Sequence, residues 1–294
     1  MKGKVLNLLF VASLFSFTIY IILNTFVLTK VYTKIEPIEI DEDEVKVEEK
    51  TKTVTNTSYE DNNISIVINE IRKNNTTIYV ADIKLTNSKY LKTAFAKSSY
   101  GRNITDKTSN ISKEENAIIS INGDYYGVQE KGYVLKNGVI YRNTPSNNQD
   151  LVIYKDGSFE IINEYDISLE ELLDKGAYNV LSFGPALVTN SEIYVSQNQE
   201  VGKAMASNPR TAIGIIDDNH YVFVVSDGRT TESTGLSLYE LAEVMKELGC
   251  KIAYNLDGGG SSTMYFNGEV INNPTTMGRT IQERSVSDIV YIGY

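Results

Sequence analysis

Apolar positions along the chain fall into two regimes. From Val5 to Leu28 the run is uncharged and almost continuously apolar, long enough to cross a bilayer as a helix. From about Tyr59 onward, short apolar runs alternate with polar positions, the period of half-buried strands. SIVINEIRKNNTTIYVADIKL holds two such runs around Lys73-Asn74-Asn75. GYVLKNGVIYR turns at Asn137-Gly138, DLVIYKDGSFEII at Asp156-Gly157, and RTAIGIIDDNHYVFVVSDGR at Asp217-Asp218-Asn219, so each reads as a hairpin. Two segments change to helical spacing. Ser168 to Leu173 is short and stops near Gly176. Ser237 to Leu248 has capping-box spacing at Ser237 and Glu240, one apolar face from Leu238, Leu241, Ala242, Met245 and Leu248, and a stop at Gly249. The pattern predicts an α+β fold, an antiparallel-rich mixed sheet with a few packed helices, preceded by an N-terminal transmembrane helix.

Three regions follow: a membrane anchor over 1–29, a charged linker over 30–58, and a folded domain over 59–294. The apolar run exceeds the core of a signal peptide, and no Ala-x-Ala-like cleavage site follows it, which favours an uncleaved signal anchor over a cleaved signal. Lys2 and Lys4 precede the run and Lys30 and Lys34 follow it, so the flanking charge is nearly balanced. A short inner tail with the bulk outside is the simpler topology. It gives a single-pass protein of the cell membrane, embedded through residues 5–28, with its domain extracytoplasmic. The segment IEPIEIDEDEVKVEEKTKTVTNTS is charged, Thr-rich and without heptads, and reads as a self-repelling spacer.

Composition removes several classes of chemistry. The net charge of -10 argues against nucleic acid as a partner. A single cysteine, Cys250, excludes an internal disulfide and a cysteine-based zinc site. It follows an amphipathic helix and is expected only to pack. The single histidine, His220, lies beside a turn with no partner in the sequence, so a solvated loop residue is expected, not a triad member. Tyr is abundant, which suits strands and sugar contacts alike. Oligomers are left open.

The candidate chemistry sits where strands end. NLDGGGSSTM (255–264) places Asp257 before Gly258, Gly259 and Gly260, then Ser261 and Ser262. Three glycines cost conformational entropy, but they allow backbone N–H groups to face an anion and a ligand to come close. The serine hydroxyls add donors. It lacks the Gly-Lys-Ser/Thr of a P-loop. The competing reading is a tight turn beside a buried aspartate. In INGDYYG (121–127), Asn122 and Asp124 could bind hydroxyls and a tyrosine could stack on a ring, or the segment is a hairpin corner with core tyrosines. Arg210 opens one strand of the Asp217–Asn219 hairpin, and Asp227 and Arg229 end the other, so both arginines are expected at one end. Arg binds phosphate bidentately. Arg284 and Asp288 flank a further strand start.

Together, NGDYY (122–126), FGPALV (183–188), NPRTAIG (208–214), VSDGR (225–229), LSLYELAEVMKELGC (236–250) and NLDGGGSSTM (255–264) resemble the phosphodiester glycosidase family; ERSVSD (283–288) matches more loosely. The likeness spans roughly residues 60 to 294. Relatives often carry Asn-Gly-Gly-Phe-Phe where this chain has NGDYY, so Asp124 stands in place of a glycine. The resemblance implies a hydrolase that cleaves a sugar-1-phosphodiester, such as an N-acetylglucosamine-1-phosphodiester, at the glycosidic bond. The substrate expected for an envelope enzyme is a phosphodiester-linked glycan, an exopolysaccharide or teichoic-acid-like polymer. A binding module without turnover and a phosphodiesterase releasing sugar phosphate are the alternatives.

Such a reaction needs positive charge on the leaving phosphate and a carboxylate at the oxocarbenium-like carbon. Arg210 is the first candidate for the phosphate, with Arg229 and Arg284 beside it. Asp257 is the first candidate carboxylate and Asp227 the second. Asn122, Gly123, Asp124, Tyr125, Thr211, Gly258, Gly259, Gly260, Ser261 and Ser262 are the expected binding residues. No cofactor is required by the pattern. Carboxylate oxygens suit calcium or magnesium, which leaves a divalent cation open, although no calcium-loop spacing is present.

Overall fold

A computed structural model describes residues 2–35, 52–197 and 206–294 of the chain. Two large sheets face one another. A nine-stranded sheet has the order 192–193, 186–189, 252–255, 210–217, 220–226, 76–85, 64–73, 58–60, 53–54; a five-stranded sheet has the order 269–270, 264–266, 119–122, 288–292, 91–95. Every pairing within them is antiparallel. Ile66, Ile83, Ile213, Phe223 and Tyr254 from the first sheet meet Ile119, Ile121, Met264 and Val290 from the second in one core. Alternate residues along each strand supply that face, as the period-two pattern requires.

The predicted hairpins form at the expected turns, between 64–73 and 76–85, 134–136 and 139–142, 149–154 and 159–163, and 210–217 and 220–226. Four helices are present among the described residues: α1 (Lys2–Phe26), α2 (Thr108–Glu114), α3 (Leu169–Asp174) and α4 (Leu238–Glu247). The expected capping box of Ser237 with Glu240 is made, and Ser168 makes a second one with Glu171. α4 lays Leu238, Leu241, Ala242 and Met245 on the outer face of the nine-stranded sheet, against Val80, Ala212, Val222 and Val224. Cys250 joins that cluster fully buried, and burial pushes its thiol up to about 12, which leaves it a packing residue. α2 covers the five-stranded sheet through Ile111. Its N-cap residue Lys107 makes no side-chain cap, and the first-turn N–H of Ser109 is taken at 3.0 Å by Glu283, far away in sequence, so the sequence carried no local start signal for it.

Two readings need correction. Residues 36–51 of the expected spacer lie outside the described residues, but Lys30–Lys34 is a strand paired antiparallel with Ser99–Arg102, and Thr53–Val54 belongs to the large sheet. Backbone pairing is indifferent to the side-chain charge that suggested a spacer. His220 is half-buried, and its Nε2 stands 3.1 Å from both carboxylate oxygens of Asp82 on the neighbouring strand, a partner 138 positions away in sequence.

α1 is apolar over Lys4–Phe26, and its most apolar 18-residue stretch is unburied with a mean hydropathy of 2.2, long enough to cross a membrane.

Candidate active site

The glycine-rich loop passes from one large sheet to the other. It leaves the strand Ile252–Asn255 of the nine-stranded sheet and enters Met264–Phe266 of the five-stranded one. The antiparallel registers bring the ends of 119–122, 210–217, 220–226 and 288–292 to the same rim. Asp257, Arg284, Arg229 and the three glycines therefore meet at the seam of the sandwich.

Asp257 is the centre of the cluster and is 8% exposed. Arg284 Nη2 donates to its Oδ1 at 3.1 Å and its Oδ2 at 2.9 Å, and Ser261 Oγ donates to Oδ2 at 2.6 Å. Arg284 Nε also donates to Ser261 Oγ at 2.8 Å. Burial raises the Asp257 carboxyl above its ordinary pKa, and the Arg284 charge and the Ser261 hydroxyl oppose the rise. The backbone of Asp257 is clamped as well: its N–H donates to Gly123 O at 3.2 Å, and Asn122 Nδ2 donates to its carbonyl at 2.6 Å. Asn122 is fixed in turn by Thr211 Oγ1, which donates to its Oδ1 at 2.8 Å. Asn122, Gly123 and Thr211 are thus struts under Asp257.

The glycines serve close approach. Gly259 has φ +63, and a side chain there would start 2.9 Å from Arg229 Nη2; a side chain at Gly260 would strike Thr276 Oγ1. Gly259→Ala is expected to lower stability by about 1–3 kcal/mol through left-handed strain and displacement of Arg229. Thermal unfolding checks this, and an unchanged midpoint would refute it. Ser262 is fully buried, and among the described residues its hydroxyl has no hydrogen-bond partner.

The arginines divide differently from the sequence expectation. Arg210 is 7% exposed, and its Nε and Nη2 donate to the carbonyls of Leu236 and Ala206 at 2.9 and 3.1 Å. The guanidinium that grips Asp257 belongs to Arg284. Arg229 holds Asn208 Oδ1 through Nε and Nη2 at 3.1 and 3.0 Å, and Thr276 O through Nη1 at 2.5 Å. Burial lowers the Arg229 pKa, and the nearby Arg284 charge lowers it further. Two like charges are held close together, a cost that a bound anion would relieve.

Asp227 does not share this cluster's bonds. Its carboxylate accepts Asn273 N–H at 2.8 Å, Asn273 Nδ2 at 2.9 Å and Asn272 Nδ2 at 3.3 Å, and so anchors the start of the loop that carries Thr276. Asn208 entered the sequence reading only as the first residue of NPRTAIG, and Thr276 and Asn272 were not singled out; NNPTTMG offers only turn residues as a signal. Among the described residues no three Asp, Glu, His or Cys side chains come together in a way that would hold a metal ion.

Asp124 points inward. It is fully buried, accepting Ser182 N–H at 3.0 Å and Tyr126 N–H at 3.2 Å. Its neighbour Asp288 accepts Asp124 N–H at 3.0 Å and takes a 2.7 Å ion pair from buried Lys136, whose Nζ is 3.6 Å from Asp124. Tyr125 lies in the left-handed region at φ 66 and is exposed at the rim. Asp288 is pushed up to about 6 from an ordinary 3.8 by burial first and the Asp124 charge second, with Lys136 opposing. The folded chain thus holds a proton that the unfolded chain releases near pH 4. The associated stability is full below that pH and is lost as pH rises through about 6. The wild type is expected to unfold at a higher temperature at pH 5 than at pH 7, and Asp288→Asn to flatten that slope; equal slopes would refute the assignment.

With this geometry in place, the comparisons agree. The phosphodiester glycosidase family model matches residues 115–293. The chain belongs to the phosphodiester glycosidase family. It is 28% identical over 201 residues to the SPbeta prophage-derived uncharacterized protein YomE of Bacillus subtilis (strain 168), spanning 66% of this chain and 31% of that protein. It is 32% identical over 142 residues to the N-acetylglucosamine-1-phosphodiester alpha-N-acetylglucosaminidase of Mus musculus, spanning 44% of this chain and 27% of that one. The chain thus covers under a third of these relatives' length. The catalytic domain of the zebrafish N-acetylglucosamine-1-phosphodiester alpha-N-acetylglucosaminidase, auto-inhibited by its pro-peptide, shares the fold at a TM-score of 0.63 and 22% identity, over 79% of this chain and 83% of that chain. A hypothetical protein from Synechocystis shares it at a TM-score of 0.55 and 13% identity, over 78% of this chain and 62% of that chain.

Proposed function

We propose that the chain hydrolyses a sugar-1-phosphodiester at its glycosidic bond, with the seam of the two sheets as the active site. The observation that carries the reading is the convergence of one buried carboxylate, Asp257, with two neighbouring guanidinium groups, Arg284 and Arg229. Among the described residues Arg284 Nη1 has no hydrogen-bond partner and is available to a phosphate oxygen, while the Gly259 N–H is already given to Pro209 O. Asp257 faces the developing positive charge at C1. Water adds across the C1–O bond: hydroxyl goes to C1, the proton ends on the phosphate oxygen, and free sugar and a phosphomonoester leave. Arg210 holds the carbonyls of Leu236 and Ala206, and the glycine turn is tied to its neighbour Pro209, whose carbonyl accepts the Gly259 N–H. The family membership and the name of the mouse relative support an N-acetylglucosamine-1-phosphodiester as first substrate. In this reading α1 is a single-pass anchor and the domain lies outside the cell, where glycan phosphodiesters of the envelope are met.

A product assay tests the reaction. The detergent-solubilised full chain, given an N-acetylglucosamine-1-phosphodiester, is expected to release reducing sugar. Release of sugar 1-phosphate would move the cleavage to the P–O bond on the other side of phosphorus, and binding without turnover would make the seam a glycan receptor.

A further inference from the structure

The path from α1 to the site is short and has little slack. Only Val27, Leu28 and Thr29 separate α1 from the strand Lys30–Lys34, which pairs Lys30 with Arg102 and Val31 with Gly101. Asn103, next in the chain, donates through Nδ2 to the carbonyls of Thr25 and Leu28 at 3.1 Å each and so caps the end of α1. Its own N–H donates to Gly127 O at 3.2 Å, and the Tyr100 ring stacks on Tyr126 at 5.4 Å. Gly127 is four residues from Gly123, whose carbonyl accepts Asp257 N–H. At about 3.5 Å per residue and about 5 Å per backbone hydrogen-bonded step, this puts Asp257 within about 25 Å of Asn103. Exposed Val31, Tyr32, Tyr125 and Val128 lie along the same stretch, with exposed Lys34 and Lys97 beside them. Aromatic and basic side chains of this kind suit the headgroup layer.

We propose that this strand pairing docks the domain against the bilayer that α1 enters, and that the substrate is a sugar-1-phosphodiester whose phosphate is borne by a membrane lipid. The substrate class rests on the glycosidase reading; the docking does not. Hydrolysis leaves the phosphomonoester on the lipid and releases the sugar to water. A freely tethered domain would sample a large volume. A docked one meets only what lies at the lipid surface.

The test uses the full chain in phosphatidylethanolamine–phosphatidylglycerol vesicles, beside a variant with about 20 Gly/Ser residues inserted between Leu28 and Thr29, an average reach of about 25 Å. Two substrates are compared, an N-acetylglucosamine-1-phosphodiester carrying a long alkyl chain in the same vesicles and its soluble methyl analogue. A dye on Val128→Cys reports distance to acceptor-labelled lipids. The expected result is strong energy transfer in the native spacing, weakened by the insertion, with turnover of the lipid-borne compound falling at least tenfold and turnover of the soluble one unchanged. A distant probe in the native chain overturns the docking. A close probe with equal effects of the insertion on both compounds overturns the lipid-borne substrate and leaves the glycosidase. A close probe with no turnover of either overturns the glycosidase and the substrate class with it, while the docking stands.

Discussion

Asp257→Asn is expected to lower kcat/KM on a sugar-1-phosphodiester by about a thousandfold, roughly 4 kcal/mol of transition-state stabilisation. The amide keeps the shape and can still take the Ser261 hydroxyl bond, but it removes the negative charge that faces C1. Arg284 loses its ionic partner, yet its side chain is 40% exposed and water takes over much of that charge. The unfolding temperature should therefore shift by only a few degrees. Asp227→Asn is the control that separates the two aspartates. Its carboxylate holds Asn272 and Asn273, so its loss should loosen the loop bearing Thr276 and lower stability more than turnover. Steady-state kinetics and thermal unfolding of both variants decide the matter. A fully active Asp257→Asn enzyme, or an inactive but normally stable Asp227→Asn one, would exchange their roles.

The largest stability effect should come from Lys136→Met. Lys136 is 2% exposed and is the cation between buried Asp124 and Asp288. Removing it leaves two carboxylates facing each other without compensation, a loss of about 3–5 kcal/mol and about 10 °C in Tm for a domain of this size. The cause can be isolated by rescue. Adding Asp288→Asn to Lys136→Met removes one of the stranded charges and should restore at least half of the loss, because the amide oxygen can still accept Asp124 N–H. Lower pH should act in the same direction, since Asp288 takes up a proton near 6. Failure of both rescues would show that Lys136 acts through its alkyl stem, not its charge.

What the sequence made legible is what depends on neighbours in the chain. The hairpin turns at Asn74, Gly138, Gly157 and Asn219 and the capping box at Ser237 are local chemistry, and they formed where their residues said. The antiparallel α+β class followed from them. Pairings across the sheets were not legible. Both Arg210 and Arg284 stand just before strands, and nothing local says that the former turns to Ala206 and Leu236 while the latter reaches Asp257, 27 positions away. Lys136 precedes a hairpin turn, where a solvated lysine is the ordinary expectation, and only the packing of the five-stranded sheet exposes it to two buried aspartates. Asp124 looked like a ligand because it adjoins Asn122 and Gly123, but the strand ends at Asn122 and the chain beyond it turns the Asp124 carboxylate inward, to the N–H groups of Ser182 and Tyr126. Lys30 and Lys34 fell within the linker expected over 30–58, whereas main-chain pairing with Ser99–Arg102 placed them on the domain.

The crossing of the glycine loop from one sheet to the other has a kinetic consequence. Asn122, Asp257 and Arg284 come from distant parts of the chain and touch only when the two sheets have closed on each other. Contacts of such long sequence separation form late and slowly. An intermediate with a single finished sheet lacks either the strand that delivers Asp257 or the strand that supports it. Chemistry at the seam is therefore the last property the chain acquires as it matures and the first it loses as it melts.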